Sequence, residues 1–148
     1  MKIAFACDHG GFPLKADILD TIRCAGHEPI DLGTNNETPV DYPDYVEKAC
    51  RLVQQKKADR AILVCGSGIG ACITANKMHG IYAGICHDTY SAHQGVEHDD
   101  MNVLCMGARV VGPALARDIT TAYLASRFSN EERHIRRLAK MKLIEKDG

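Results

Sequence analysis

One stretch near the middle of the chain limits what the sequence can fold into. Residues 61–65 form a short apolar run with β-branched members, which is typical of a fully buried strand. Residues 66–70 form a turn with three glycines, and residues 71–77 are long and regular enough for a helix. A buried strand that turns directly into a helix predicts an α/β protein with a parallel sheet.

The turn at residues 66–70 has the chemistry of an anion site. Amides at a helix N-terminus favour negative charge, because they lack acceptors within the helix and lie at the positive end of its dipole. Cys65 stands where the strand ends, so this field favours its thiolate, the reactive form. A base beside an anion-stabilising loop is what an enolate-forming enzyme needs.

The alternative for this turn is a tight connection beside an inert thiol, which is a common arrangement in α/β proteins. The turn is not a dinucleotide-binding fingerprint, since it lacks the third glycine at the required spacing. It is not a Walker A loop either, because no Gly-Lys-Ser/Thr sequence closes it.

Length, charge and cysteine content limit the number of domains, the kinds of partner and the compartment that are compatible with the sequence. The 148 residues, 45% hydrophobic and 25% charged, predict one soluble domain over residues 1–148. The net charge of −1 indicates neither a nucleic-acid nor a membrane partner. Seven cysteines without a C-x-x-C pair argue against a disulfide framework and a structural zinc site, and they favour the reducing cytoplasm. No signal pattern or long apolar span is visible.

Apolar periodicity predicts strands that alternate with helices. Strands are predicted at residues 2–7, 29–32, 61–65, 81–86 and 102–106, and helices at 13–26, 41–53, 71–77, within 87–97, 113–125 and 130–146. Pro29 marks the second strand as an edge strand, because proline cannot donate to a ladder. The alternation predicts a three-layer, doubly wound Rossmann-like fold with a five-stranded, mostly parallel sheet. Ligands of such folds bind beyond the carboxyl ends of the strands.

Histidines beside carboxylates suit proton transfer at two places. Asp8 and His9 follow the first strand, and His98 with Asp99 precedes the fifth. His98 has the residue type of a general acid or base. One alternative is a metal site shared with His93, although the spacing matches no familiar ligand pattern. The other is a surface histidine at a helix end.

Arginines near the end of the chain suit a phosphate. Arg133 and Arg137 are four residues apart and face the same way on a helix, where two guanidinium groups can clamp one anion. Arg109, just past the fifth strand, is a candidate for a third phosphate ligand or for an ion-pair residue. The alternative for the pair is a solvated basic face with Glu131 and Glu132 nearby.

Together these segments resemble the family of ribose-5-phosphate isomerase type B and galactose-6-phosphate isomerase. The likeness covers nearly the whole chain and rests on motifs in a fixed order. They are C-D-H-G at residues 7–10, D-Y-P at 41–43, C-G-S-G-I-G at 65–70, A-N-K at 75–77, His98 with N-V-L at 102–104, G-A-R-V-V-G at 107–112 and R-H at 133–134.

The resemblance implies an aldose–ketose isomerase without metal or cofactor, which acts on a sugar phosphate through a cis-enediolate. Cys65 looks like the base that moves a proton between C1 and C2, and Ser67 would help at the same centre. His98 resembles the acid that opens the furanose ring, and Asp8 the group that handles hydroxyl protons. The implied substrate-binding residues are His9, Tyr42, Gly66, Gly68, Ile69, Gly70, Asp99, Arg109, Arg133 and Arg137. Some members use a glutamate as the base, at a position that looks like Ala71.

The resemblance also implies a homodimer with shared sites, or a tetramer of such dimers. The C-terminal helix would extend to the partner subunit and carry Arg133 and Arg137 into its site. Two departures concern the sugar: Asp99 stands where the family usually has Asn, and residues 131–132 are Glu-Glu where it often has Gly-Gly.

The substrate therefore stays open at this stage. Ribose 5-phosphate is the first hypothesis, and a tetrose 4-phosphate, galactose 6-phosphate and allose 6-phosphate are the alternatives. A sugar-phosphate-binding module without turnover and a flavodoxin-like nucleotide carrier are the competing classes. The joint presence of Cys65, Ser67, His98 and Asp8 favours the enzyme over the binder.

Overall fold

A central parallel sheet organises the structure, a computed structural model that describes residues 1–148. Its strands are β1 (Lys2–Cys7), β2 (Glu28–Asp31), β3 (Arg60–Cys65), β4 (Ala83–Ile85) and β5 (Val103–Gly107), in the order β2-β1-β3-β5-β4. Every neighbouring pair is parallel. This order confirms the predicted doubly wound fold with β2 at an edge, and it puts β3 and its glycine-rich turn at the middle of the sheet.

Helices cover both faces of the sheet. They are α1 (Lys15–Cys24), α2 (Tyr42–Gln54), α3 (Ile69–Ala75), α4 (Thr89–Asp99), α5 (Pro113–Ala125) and α6 (Glu132–Asp147), with a 3₁₀ turn (Phe12–Leu14) before α1. Helices α1, α4 and α5 share one core with the sheet, and α2 and α3 share the other. None of the helices combines the length and the apolar character needed to cross a membrane.

The alternation of side chains along β3 divides its residues between the two cores. Ile62 and Val64 are buried under α1, α4 and α5, whereas Leu63 and Cys65 are buried under α2 and α3. Successive side chains of a strand point to opposite faces, and a strand buried on both faces needs apolar residues throughout. The apolar run at residues 61–65 is therefore the central strand, as predicted.

Most of the other predicted boundaries differ from the structure by one or two residues, as at the fourth strand and the third helix. The fourth strand was expected over residues 81–86 but comprises only Ala83–Ile85. Ile81 N–H instead closes a turn on the Met78 carbonyl, and Tyr82 N–H donates to the side chain of Asn102. The helix expected over residues 71–77 is α3, which begins and ends two residues earlier.

The C-terminal helix α6 lies against its own chain. Leu138 is buried, and the carboxylate of Glu145 accepts from the Gly80 N–H and from the Tyr82 hydroxyl. Most other side chains of α6 are exposed. Extension of this helix onto a partner subunit stays a prediction.

Candidate active site

The sulfur of Cys65 lies at the start of the glycine-rich turn. Cys65 ends β3 and is 5% exposed. The Gly68 N–H donates to Cys65 Sγ across 3.1 Å. Gly68 adopts φ = 83°, a left-handed conformation that favours glycine, and this conformation turns its amide back toward the sulfur. The turn therefore presents a main-chain donor directly to the sulfur of Cys65.

The amides of the turn fall into two groups. Gly68 donates to Cys65, and Ile69 N–H donates to Ser67 Oγ at 3.2 Å. The N–H groups of Gly66, Ser67 and Gly70 make no hydrogen bond within the chain. Of the five turn amides predicted to hold an anion, these three therefore remain available for one.

Side chains from other elements border the turn. A Cβ built on Gly70 would lie 2.6 Å from Tyr42 Cζ, so the Tyr42 ring packs directly on that glycine. A Cβ built on Gly66 would lie 3.3 Å from a guanidinium nitrogen of Arg109, which therefore lies over the turn. Arg109 is exposed and forms no ion pair within the chain, so its charge is available to a ligand.

Asp8 joins this group from the end of β1. Its side chain is buried, and one oxygen accepts from the Gly11 N–H at 3.0 Å. Asp8, Tyr42 and Cys65 line one small cavity of about 10 Å³, roughly the space of one water molecule. The structure thus brings together residues that lie almost 60 positions apart along the chain.

A hydrogen bond from the loop between β2 and α2 decides which ring nitrogen of neutral His9 carries the proton. Val40 N–H donates to His9 Nδ1 at 3.1 Å. A ring nitrogen that accepts a hydrogen bond carries no proton, so the proton of neutral His9 is on Nε2, which can donate. The start of the loop is anchored by the buried Lys15, whose ammonium pairs with Asp31 and donates to the Thr34 carbonyl, each at 2.9 Å.

The other thiols differ from Cys65 in environment. Burial raises the pKa of Cys7 and of Cys50 to about 12, and that of Cys86 to about 11. These cysteines act as small apolar core residues. Contact with the Cys105 thiol, together with donors from Ile85 and Asn76, lowers the pKa of the half-buried Cys72 to about 7.

The remaining predicted site residues form a second group around α4 and α6. The imidazole of His98 stacks on that of His134, with ring centroids 4.0 Å apart. Gln94 Nε2 donates to His98 Nδ1 at 2.9 Å, which leaves the proton of neutral His98 on Nε2. Burial lowers the pKa of His134, and the neighbouring His98 lowers it further. Asp99 is exposed next to this pair.

The two arginines of α6 belong to the same group. Arg133 and Arg137 are exposed, one turn apart on the helix. Arg133 pairs with Glu131 across 3.2 Å, while Arg137 forms no ion pair. Glu131, one of the two departures from the family pattern, therefore already occupies one of the predicted phosphate ligands.

These two groups of residues lie at opposite ends of the sheet. Cys65 is the last residue of β3, whereas His98 lies near the end of α4, five residues before β5 begins. The first residue of β5, Val103, pairs with Ala61 at the start of β3. A strand rises about 3.3 Å per residue, so the two ends of β3 are about 17 Å apart. Within one chain, the structure does not bring His98, Asp99, Arg133 or Arg137 to Cys65.

One residue near the turn was missed in the sequence. His87 follows β4, and its Nε2 accepts from the Gly107 N–H at 2.9 Å. Gly107 ends β5 beside Cys65. No local pattern marks His87, since its neighbour comes from a strand that is 16 residues further along the chain; only the strand order could have indicated it.

The comparisons with known proteins identify the family. The family model described as Ribose/Galactose Isomerase matches residues 3–141. The chain belongs to this family. The ribose-5-phosphate isomerase B of Escherichia coli (strain K12) is 42% identical over 144 residues, 97% of this chain and 96% of that protein. The D-erythrulose-4-phosphate isomerase of Pectobacterium atrosepticum is 39% identical over 130 residues, 86% of this chain and 85% of that protein.

Solved structures of the ribose/galactose isomerase family agree with the fold. The ribose-5-phosphate isomerase B of Clostridium thermocellum superposes with a TM-score of 0.95 at 44% identity, and the match covers 99% of each chain. Membership in the family makes this protein an aldose–ketose isomerase, as its motifs indicated. The roles of individual site residues stay predictions.

Proposed function

We propose that the protein interconverts ribose 5-phosphate and ribulose 5-phosphate through a cis-enediolate. The observation that carries the proposal is the Cys65 sulfur, held 3.1 Å from the Gly68 N–H beside three loop amides that have no acceptor in the chain. A base next to fixed donors is the arrangement that stabilises an enediolate. The name of the Escherichia coli relative supports ribose 5-phosphate as the substrate.

In the proposed reaction, the Cys65 thiolate removes the proton from C2 of the open-chain aldose. The electron pair of that C–H bond forms the C1–C2 double bond, and the carbonyl oxygen on C1 takes the negative charge. The free N–H groups of Gly66, Ser67 and Gly70 stabilise this oxygen. Cys65 then returns the proton to C1, and the hydroxyl on C2 loses its proton and becomes the ketose carbonyl.

The reaction also requires groups that interact with the protons on the sugar hydroxyls. The Ser67 hydroxyl is exposed at the turn and can pass a proton between the oxygens on C1 and C2. The Asp8 carboxylate keeps one oxygen without a partner in the chain and lies in the same cavity as Cys65. Its free oxygen can accept a hydrogen bond from a sugar hydroxyl. No step uses a metal ion or a cofactor.

Two groups near the turn suit the phosphate of the substrate. His9 presents its Nε2–H as a donor, because the Val40 amide occupies Nδ1. The Arg109 guanidinium lies over Gly66 and forms no ion pair in the chain. A planar guanidinium can donate two parallel hydrogen bonds to a phosphate.

The second group of residues requires a second subunit. His98, Arg133 and Arg137 are at the far end of the sheet from Cys65, so a site that uses all of them draws them from another copy of the chain. We therefore propose a homodimer with two composite sites, in which His98 opens the ring of the sugar bound at the partner's Cys65. A tetramer of such dimers preserves the same sites.

A different sugar phosphate is the second candidate substrate. Glu131 neutralises Arg133 through their ion pair, and Asp99 adds a carboxylate beside His98. Both features change the charge at the phosphate end of a composite site. The Pectobacterium atrosepticum relative, named for D-erythrulose 4-phosphate, supports a tetrose 4-phosphate. Galactose 6-phosphate and allose 6-phosphate remain further candidates.

Proton exchange in deuterated water tests the activity and the substrate together. Sugar phosphates with four, five and six carbons are incubated with the protein, and deuterium at C1 or C2 is followed by NMR. The proposal predicts fastest exchange with ribose 5-phosphate. Faster exchange with a tetrose or hexose phosphate would make that sugar phosphate the substrate instead. Binding without exchange would indicate a non-catalytic module. We place the reaction in the cytoplasm, which the seven free cysteines support.

A further inference from the structure

The side chain of His87 extends the sheet where the main chain of β4 has ended. The last residue pair between β4 and β5 is Ile85 with Cys105. Two residues further along β5, the Gly107 N–H donates to His87 Nε2 at 2.9 Å. Because Nε2 accepts, neutral His87 carries its proton on Nδ1. The imidazole therefore substitutes for the strand carbonyl that would otherwise hold this amide.

The peptide between Met106 and Gly107 supports the glycine-rich turn. A Cβ built on Gly107 would lie 2.6 to 2.7 Å from three main-chain atoms of Ser67, so no larger residue fits there. A Cβ built on Gly68 would lie 3.0 Å from the carbonyl carbon of Met106. Residues 67–68 thus rest directly on the peptide whose N–H the imidazole holds.

A short chain of contacts therefore joins His87 to the candidate base. The imidazole holds the Gly107 amide, the turn at Ser67 and Gly68 packs on that peptide, and the Gly68 N–H donates to Cys65 Sγ. Each link is a hydrogen bond or a main-chain contact in a tightly packed region, where small shifts are transmitted.

We propose that His87 is a positioning residue, which holds the turn so that the Gly68 amide points at the Cys65 sulfur. It acts through its hydrogen bond to the Gly107 amide and makes no hydrogen bond to Cys65. This role rests on the proposed function for its effect on turnover, but its effect on the thiol does not depend on any substrate.

The test compares two substitutions that differ in one property. His87→Gln keeps an acceptor oxygen at a similar reach, whereas His87→Leu fills a similar volume without an acceptor. We expect His87→Leu to lower kcat by about 3- to 10-fold, the range of one net hydrogen bond, with KM for the sugar phosphate changed less than about 2-fold. His87→Gln should restore at least half of the kcat. His79→Leu, at an exposed histidine far from the turn, is the matched control.

A second measurement follows the reactivity of the Cys65 thiol in the absence of substrate. The rate at which iodoacetamide alkylates Cys65 at pH 7, resolved by mass spectrometry, should fall by about 3- to 10-fold in His87→Leu and recover in His87→Gln. Alkylation of Cys72 in the same sample should keep its wild-type rate. If His87→Leu does not fold, His87→Asn, which is polar but too short to reach the amide, takes its place.

The outcomes separate this proposal from the proposed function. An unchanged rate at Cys65 in His87→Leu overturns the positioning role, and so does an equal change at Cys72, since that would indicate general loosening of the fold. A slower Cys65 that recovers in His87→Gln supports the role even if none of the tested sugar phosphates is turned over. In that case only the proposed function would be wrong.

Discussion

The imidazole rings of His98 and His134 stack at an interplanar angle of 26°, at the end of the sheet opposite to Cys65. His134 Nδ1 forms a hydrogen bond with the Ser129 hydroxyl, and His134 Nε2 is buried without a hydrogen-bond partner. Burial lowers the pKa of His134, and the neighbouring His98 lowers it further. If His98 is the ring-opening acid, as we propose, it can serve Cys65 only across a subunit interface.

Loss of the candidate base should abolish most of the turnover. We expect Cys65→Ala to lower kcat by about 100-fold or more, the range for a general acid–base group. Cys72→Ala should retain nearly wild-type activity, because its thiol faces the Ala83 carbonyl and Asn76 rather than the turn. Steady-state kinetics on both variants test this assignment, and full turnover by Cys65→Ala would exclude Cys65 as the base.

Removal of metal ions should leave the activity intact. The proposed proton transfer uses a thiolate and main-chain amides, and the structure contains no group of three or more histidine, cysteine or acidic side chains suited to a metal. The protein is dialysed against EDTA for an extended period and assayed in metal-free buffer. Inactivation that a divalent ion reverses would mean that the enzyme depends on a metal.

Mixed dimers should recover activity that neither parent has. Cys65→Ala and Arg137→Ala homodimers are both expected to be poor, the second chiefly through KM and partly through kcat, because phosphate binding also orients the reacting carbons. Subunit exchange between them creates one intact site per heterodimer, with about half of the wild-type activity. No rescue, with exchange verified by native mass spectrometry, would show that each chain supplies its own arginines.

A methyl group on Gly107 should damage both stability and activity. The Cβ of Gly107→Ala would meet the main chain of Ser67, which cannot move aside without displacing the turn. We expect the free energy of unfolding to fall by about 1 to 3 kcal/mol and kcat to decrease. Gly112→Ala is the control, because no atom lies within 4 Å of its added Cβ. Urea melts and kinetics that fail to distinguish the two variants would contradict this packing.

Cys72 should be the thiol whose labelling changes most near neutral pH. Contact with the Cys105 thiol, with donors from Ile85 and Asn76, lowers the pKa of Cys72 to about 7, so its thiolate is lost as the pH falls below that value. Between pH 6 and pH 8 its thiolate fraction rises from roughly a tenth to roughly nine-tenths. Iodoacetamide labelling should follow this rise, while Cys7, with a pKa of about 12, stays unlabelled. Equal labelling of Cys72 at both pH values would be incompatible with the lowered pKa.

Most of the fold is contained in local patterns of the sequence. The helix predicted at residues 113–125 coincides with α5, and the strand predicted at 2–7 coincides with β1. Both have the clear signals of their class: a proline at the first helical turn, and an unbroken apolar run. Prediction was poorer where a side chain from a distant part of the sequence bonds to the backbone, as Asn102 does to the amide of Tyr82 just before β4.

The sequence by itself also determined the kinds of groups in the site, because thiol, carboxylate, imidazole and guanidinium chemistry belongs to residue types. Only the tertiary structure decided which of them meet. The parallel order β3-β5-β4 brings His87 to Gly107, and the direction of α4 carries His98 away from Cys65. Strand order and helix direction follow from the packing of two cores on one sheet, and such long-range contacts leave no local pattern in the chain.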